Sequence, residues 1–153
     1  MRLTRRCFVA ALAAGPAFGA AALPKIVLAK DPTCDCCDAW AKHVRGAGFA
    51  VEVVETDDLS EVKARLGVPE NLFACHTAEV DGYVIEGHVP AAMITRLLAE
   101  RPHVKGLAVP GMPMGSPGMV IEGAKPEIYE VIAFGPEGES RFARFRGDKE
   151  LAP

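Results

Sequence analysis

Three cysteines lie within four residues, at Cys34, Cys36 and Cys37, shortly after a segment of residues that favour a β-strand, at residues 26–29. Pro32 lies between the two features, and it favours the first turn of a helix because that position does not need the N–H that proline lacks. The pattern therefore predicts a strand followed by a helix whose first turn carries the thiols. Unpaired N–H groups and the helix dipole favour thiolate there, and thiolate is the form that binds metals or attacks disulfides.

The rest of the pattern predicts an α/β fold. Residues 49–55 indicate a second strand, residues 59–66 a second helix, and residues 73–85 an antiparallel hairpin around a tight turn. A third helix begins near residue 90. This βαβ(α)ββα order is typical of a thioredoxin-like domain, in which helices flank both faces of a mixed sheet.

The chain after the third helix divides into a loop and a second hairpin. Residues 110–119 hold three Pro, three Gly and three Met, a composition that does not form regular structure. Residues 128–134 and 142–145 predict a β-hairpin. We therefore expect a thioredoxin-like domain at residues 23–122 and a C-terminal β-hairpin extension at residues 123–153.

Length and charge exclude some classes of function. The chain has 153 residues, half of them apolar, which suits one compact core better than two domains. Its formal charge is −3 and it has no Lys/Arg-rich run, so nucleic acid is not expected as a partner.

The first 22 residues are typical of a signal peptide, because Arg2, Arg5 and Arg6 precede an apolar, Ala-rich stretch and then small residues. Cleavage is expected near residues 19–22, and the mature protein is expected in the periplasm. The paired arginines resemble the twin-arginine export signal, although an ordinary basic segment would look the same. No later stretch approaches the roughly 20 apolar residues that a membrane span needs.

Removal of the signal peptide leaves four cysteines, Cys34, Cys36, Cys37 and Cys75. The predicted topology brings the strand near Cys75 beside the start of the first helix, so Cys75 should face the other thiols. Three interpretations stay open: a structural disulfide (Cys34 with Cys37, or Cys36 with Cys75), disulfide exchange through the Cys-x-x-Cys pair, and metal binding. Disulfide exchange has no need of Cys36.

A metal site built from these cysteines favours copper. Adjacent side chains diverge, so Cys36 and Cys37 cannot easily meet at one ion, whereas thiolates that bridge several ions remove that difficulty. Soft thiolates select Cu(I), zinc or iron–sulfur, and the thioethers of Met112, Met114 and Met119 favour Cu(I), with more than one ion bound.

Two histidines lie near the cysteine end of the predicted hairpin, His76 within it and His88 just after it. His88 follows it in a turn that returns to the cysteine end of the sheet, where it would bind metal or simply form hydrogen bonds. His76 is not expected to join the thiols, because adjacent residues of a strand point to opposite faces.

The chain resembles the CopG-type periplasmic copper-resistance proteins over about residues 26–120. The resemblance is carried by Cys34-Asp35-Cys36-Cys37, Cys75-His76-Thr77, Glu86-Gly87-His88-Val89-Pro90 and the Met-containing loop at residues 110–119. It implies a thioredoxin-like fold, a periplasmic location and a cysteine-bridged copper cluster on the four cysteines. It also implies a role in copper tolerance, with or without electron transfer to copper.

The sequence thus predicts a periplasmic copper-binding protein that holds Cu(I) in a cysteine-thiolate cluster, with other periplasmic copper-handling proteins as partners. The alternative is an enzyme, a periplasmic thiol–disulfide oxidoreductase that uses Cys34 and Cys37. A third interpretation is a disulfide-stapled interaction domain whose Met loop binds a partner protein.

Overall fold

The computed structural model describes residues 22–152. The predicted signal peptide therefore lies, except for its last residue, outside the described residues. Within the described range, no helix combines the length and the apolar character that crossing a membrane requires.

Residues 22–152 form eight strands, three α-helices and one 3₁₀-helix. In chain order they are β1 (Ile26–Lys30), α1 (Asp35–Gly46), β2 (Val51–Glu55), α2 (Leu59–Leu66), a 3₁₀-helix (Glu70–Leu72), β3 (His76–Val80), β4 (Tyr83–Gly87), α3 (Ala91–Glu100), β5 (Gly106–Val109), β6 (Ile128–Gly135), β7 (Gly138–Arg146) and β8 (Lys149–Glu150).

All eight strands belong to one mixed sheet in the order β2-β1-β3-β4-β5-β6-β7-β8. The β1–β2 and β4–β5 pairs are parallel and the others antiparallel. The predicted α/β class, a mixed sheet flanked by helices, is confirmed. The predicted hairpin is β6–β7, and it continues the main sheet because β6 pairs with β5.

Helices cover both faces of the sheet. Trp40 of α1 and Ile94 of α3 share the larger core with Ile85 of β4. Leu66 of α2 packs in a second core with Val84, the neighbour of Ile85. Since adjacent strand residues point to opposite faces, α1 and α3 lie on one face and α2 on the other.

A buried ion pair connects α2 to the middle of the sheet. The Lys63 ammonium donates to the Glu86 carboxylate at 2.5 Å and to the Thr77 hydroxyl at 2.9 Å. The second oxygen of Glu86 accepts from the Thr77 hydroxyl at 2.7 Å, and the first also accepts from the backbone N–H of Ala74 at 2.7 Å. Burial raises the pKa of Glu86, and these donors oppose that effect. The carboxylate is thereby held at the segment that precedes β3.

Loss of one member of this pair should destabilise the fold strongly. We expect Lys63→Met to lower the free energy of unfolding by about 3–5 kcal/mol, because it leaves the Glu86 carboxylate buried without its cation. Urea unfolding measures the change. The matched control is Arg65→Met on the same helix, whose ion pair with Glu79 is exposed and 3.8 Å long; its cost should stay below about 1 kcal/mol. Equal effects of the two substitutions would contradict the expectation.

Candidate metal centre

A short turn joins β1 to α1 and places Cys34 at the helix N-cap. The side chain of Asp31 accepts from the Thr33 backbone N–H at 2.8 Å and from the Thr33 hydroxyl at 2.6 Å. The backbone N–H of Cys34 donates to the Asp31 carbonyl at 3.1 Å. Because α1 begins at Asp35, the next two cysteines lie in its first turn. The turn chemistry of Asp31 therefore determines where the thiols stand.

Cys75 reaches the same place from the neighbouring strand. It directly precedes β3, whose first residue, His76, pairs with Lys30 at the end of β1. The end of β1 leads into α1, so Cys75 stands beside the first turn of that helix.

The four sulfur atoms form one cluster. All of them lie within 4.8 Å of one another. Cys34 and Cys37 are joined by a disulfide, while Cys36 and Cys75 are free. The sulfur of Cys36 lies 3.5 Å from that of Cys34 and 3.6 Å from that of Cys75.

These separations fit metal binding. Two thiolates bound to one ion at about 2.3 Å each can stand up to roughly 4.6 Å apart. Cys37 is buried and the other three cysteines are half-buried, so the cluster is accessible on one side. Burial, together with the nearby Cys36, raises the pKa of Cys75 to about 12. A bound metal cation would oppose this rise in pKa, because it stabilises the thiolate.

His88 faces the cluster through one ring nitrogen. Its Nε2 lies 3.0 Å from the Cys75 sulfur, and its Nδ1 lies 2.7 Å from the Pro117 carbonyl oxygen. A carbonyl only accepts, so Nδ1 carries the proton and Nε2 presents a lone pair to the thiol. Burial lowers the pKa of His88, which keeps the ring neutral.

His76 also reaches Cys75, with its Nδ1 3.3 Å from the sulfur. The expectation that this ring points away from the cysteine is wrong, because Cys75 precedes β3 and the alternation of strand residues does not extend to it. The ring is fully buried between Trp40 and His88, at centroid distances of 4.6 and 5.1 Å. The predicted hairpin starts at residue 73, whereas β3 begins only at His76, and this later strand boundary is what changes the direction of the ring.

The Met-containing loop at residues 110–119 packs beside the cluster, against Ala74, the start of α1 and His88. It begins with a parallel bridge between Gly111 and Ala74, next to Cys75. Near its end, Gly118 packs so closely that an added Cβ would come within 2.6 Å of the Cys36 carbonyl oxygen and 2.9 Å of the Trp40 nitrogen. The hydrogen bond from His88 to the Pro117 carbonyl also holds this end of the loop in place.

The three methionines occupy different parts of this loop. Met112 is 53 % exposed and lines a groove with Ile128 and Tyr129 of the hairpin. Met114 is anchored through its backbone N–H to the Glu127 carboxylate at 2.6 Å. Met119 directly follows Gly118, at the contact with α1.

A side chain at position 118 should lift the loop from the cysteines. We expect Gly118→Ala to raise the rate of Cys36 alkylation by iodoacetamide about fivefold or more, because both the collision and the positive φ of 90° add at least about 1 kcal/mol of strain. Gly123→Ala is the matched control, since Gly123 has a φ of 79° but open space around it. Equal alkylation rates in the two variants would show that the loop does not protect Cys36.

Comparison with known proteins finds one family model and two solved structures that the chain resembles. A family model described as "Protein of unknown function, DUF411" matches residues 72–119, which include Cys75, His88 and the loop. Two solved structures are similar, "Copper resistance protein copG- Form 2" and "Copper resistance protein copG- Form 1". The first is 43 % identical with a TM-score of 0.76, and the match covers 80 % of this chain and 98 % of that one. The second is also 43 % identical, with a TM-score of 0.75 and coverage of 82 % and 99 %. No curated protein matches the chain.

Proposed function

The chain belongs to the CopG copper-resistance family, and from this premise we propose that it binds several Cu(I) ions in a thiolate cluster formed by Cys34, Cys36, Cys37 and Cys75. The observation that carries the proposal is the convergence of four sulfur atoms, three from one helix turn and one from the adjacent strand, within 4.8 Å of one another. Binding of copper by this cluster would serve copper resistance.

Several ions fit the site better than one. All four sulfurs lie within 4.8 Å of one another, close enough for a thiolate to bridge two ions, and the adjacent Cys36 and Cys37 then need not point to one centre. Soft thiolates select Cu(I), and His88 and the methionines of the loop supply further donors that suit it. Each bound cation also offsets the negative charge of a thiolate in this half-buried place.

Export to the periplasm is part of the proposal. The basic, apolar and small-residue segments of residues 1–22 support it. In that compartment, copper ions and other periplasmic copper-handling proteins would be the partners. The disulfide between Cys34 and Cys37 is consistent with an oxidising compartment.

The same disulfide supports a second candidate, a thiol–disulfide oxidoreductase. Cys34 and Cys37 have the Cys-x-x-Cys spacing at the start of a helix, and their sulfurs are bonded. A substrate dithiol would supply two electrons and two protons, reduce this disulfide to two thiols and become a disulfide itself. Reduction would also be required before all four cysteines can bind copper.

Replacement of Cys36 separates the two candidates. Under anaerobic titration with Cu(I), the reduced mature protein should bind several copper ions per chain, and Cys36→Ser should bind fewer because a bridging thiolate is lost. Asp35→Ser is the matched control, since Asp35 is exposed in the same turn and all four thiols remain. Copper analysis with thiol counting measures the result.

The opposite pattern would favour the enzyme. If Cys36→Ser keeps both the copper content of the parent protein and its insulin-reductase activity, the cluster proposal is wrong. Loss of copper with little exchange activity in either protein supports the cluster.

A further inference from the structure

We propose that Cys75, His76 and His88 form a second binding set, which holds a single Cu(I) ion while Cys34 and Cys37 are joined by their disulfide. The inference rests on the proposed copper-binding function. It extends that function to the oxidised protein, in which two of the four cluster thiols are withdrawn. Of the four cluster cysteines, the set uses only Cys75.

Three ligand atoms of this set already converge. The Cys75 sulfur lies 3.0 Å from Nε2 of His88 and 3.3 Å from Nδ1 of His76. One ligand atom from each of the three residues lies within 4.8 Å of the other two. Metal–nitrogen and metal–sulfur bonds of about 2.1 and 2.3 Å span the two sulfur–nitrogen separations of 3.0 and 3.3 Å. One thiolate with two imidazoles is a donor set that suits copper.

His88 is oriented as a metal-binding histidine. Its Nδ1–H donates to the Pro117 carbonyl, which fixes the tautomer and aims the Nε2 lone pair at Cys75. Such an outer hydrogen bond is the usual partner of a metal-bound imidazole, and it increases the basicity of the ligand. The Met-containing loop, which supplies Pro117, thereby orients a ligand even where its thioethers do not bind.

His76 is a buried polar ring packed between Trp40 and His88. The ring is fully buried, and among residues 22–152 its Nε2 is the buried side-chain nitrogen or oxygen that has no hydrogen bond of normal geometry, although the ring also interacts with the Gly87 backbone. An unsatisfied buried polar atom costs about 1–3 kcal/mol, and an apolar ring would avoid this cost. The nitrogen that does have a neighbour faces the Cys75 sulfur, which points to metal binding as the role of the ring.

Charge favours this set over the two remaining thiols. With the disulfide formed, Cys36 and Cys75 are the free cysteines and lie 3.6 Å apart. Cu(I) bound by both thiolates would carry a net negative charge, whereas Cu(I) with the Cys75 thiolate and two neutral imidazoles is uncharged. A buried site tolerates the uncharged complex better. Binding of Cu(I) displaces the proton of the Cys75 thiol to solvent, and no electron transfer is required.

The experiment uses the mature protein with Cys34→Ser and Cys37→Ser, which removes the two thiols that the disulfide withdraws. Cu(I) is titrated anaerobically against a chromophoric Cu(I) chelator. We expect one copper ion per chain. In this background His76→Gln should lower the Cu(I) affinity at least about tenfold, as loss of a ligand does, and His103→Gln, at an exposed position, should leave it unchanged.

A second measurement keeps all histidines in place and so does not depend on the folding of a histidine variant. Long-range ¹H–¹⁵N NMR of the same serine protein should show shifts of Nδ1 of His76 and Nε2 of His88 when Cu(I) is added. Unshifted imidazole nitrogens, or an unchanged affinity in His76→Gln, would overturn the inference.

The two proposals fail in different ways. If the reduced parent protein binds several copper ions and the serine protein binds none, the cluster stands and the second set is wrong. If the parent binds no more than the one ion that the serine protein holds through its imidazoles, the cluster is wrong and the second set stands.

Discussion

The candidate metal centre depends on the antiparallel pairing of β3 with β1. This pairing sets His76 opposite Lys30 and so places Cys75 at the end of β1 where α1 begins. A shift of the register by one residue would turn every side chain of β3 to the other face of the sheet, and the fourth sulfur would leave the cluster. Three thiols in one helix turn are a local property of the chain, whereas the fourth belongs to the site only through the sheet.

The buried ion pair between Lys63 and Glu86 also holds Cys75 in position. The Glu86 carboxylate accepts from the backbone of Ala74, one residue before Cys75, and Lys63 of α2 supplies its counter-charge. The same lysine lowers the pKa of Cys75, against the larger opposing effect of burial. Helix α2, on the face of the sheet away from α1, therefore affects the site through one ion pair. If an apolar contact between α2 and this segment took the place of the ion pair, no positive charge would lie near the thiols.

Cys75 stands where two donor sets meet. On one side are the thiols of α1, two of which are joined by a disulfide, and on the other are the rings of His76 and His88. The loop at residues 110–119 touches both sides, through Gly118 on α1 and Pro117 on His88. Changes in the disulfide would alter the number of available thiols without moving the imidazoles, which belong to the sheet and to the turn after it.

The sequence by itself determined the order of the elements, the helix that starts at the cysteines, the C-terminal hairpin and the irregular Met-containing loop. Each of these follows from local patterns of apolar, turn and capping residues, which act within a few positions of the chain. The expected approach of Cys75 and His88 to that helix came from the topology that these elements imply.

Only the tertiary structure decided that His76 faces Cys75, that Lys63 is buried against Glu86, that Cys34 pairs with Cys37, and that β6 joins β5. The residue at which β3 begins decides the direction of the His76 ring, and nothing in the local pattern of α2 distinguishes a buried lysine from an exposed one. Strand register, burial and sulfur pairing depend on contacts between distant segments, and these contacts form only when the sheet is assembled.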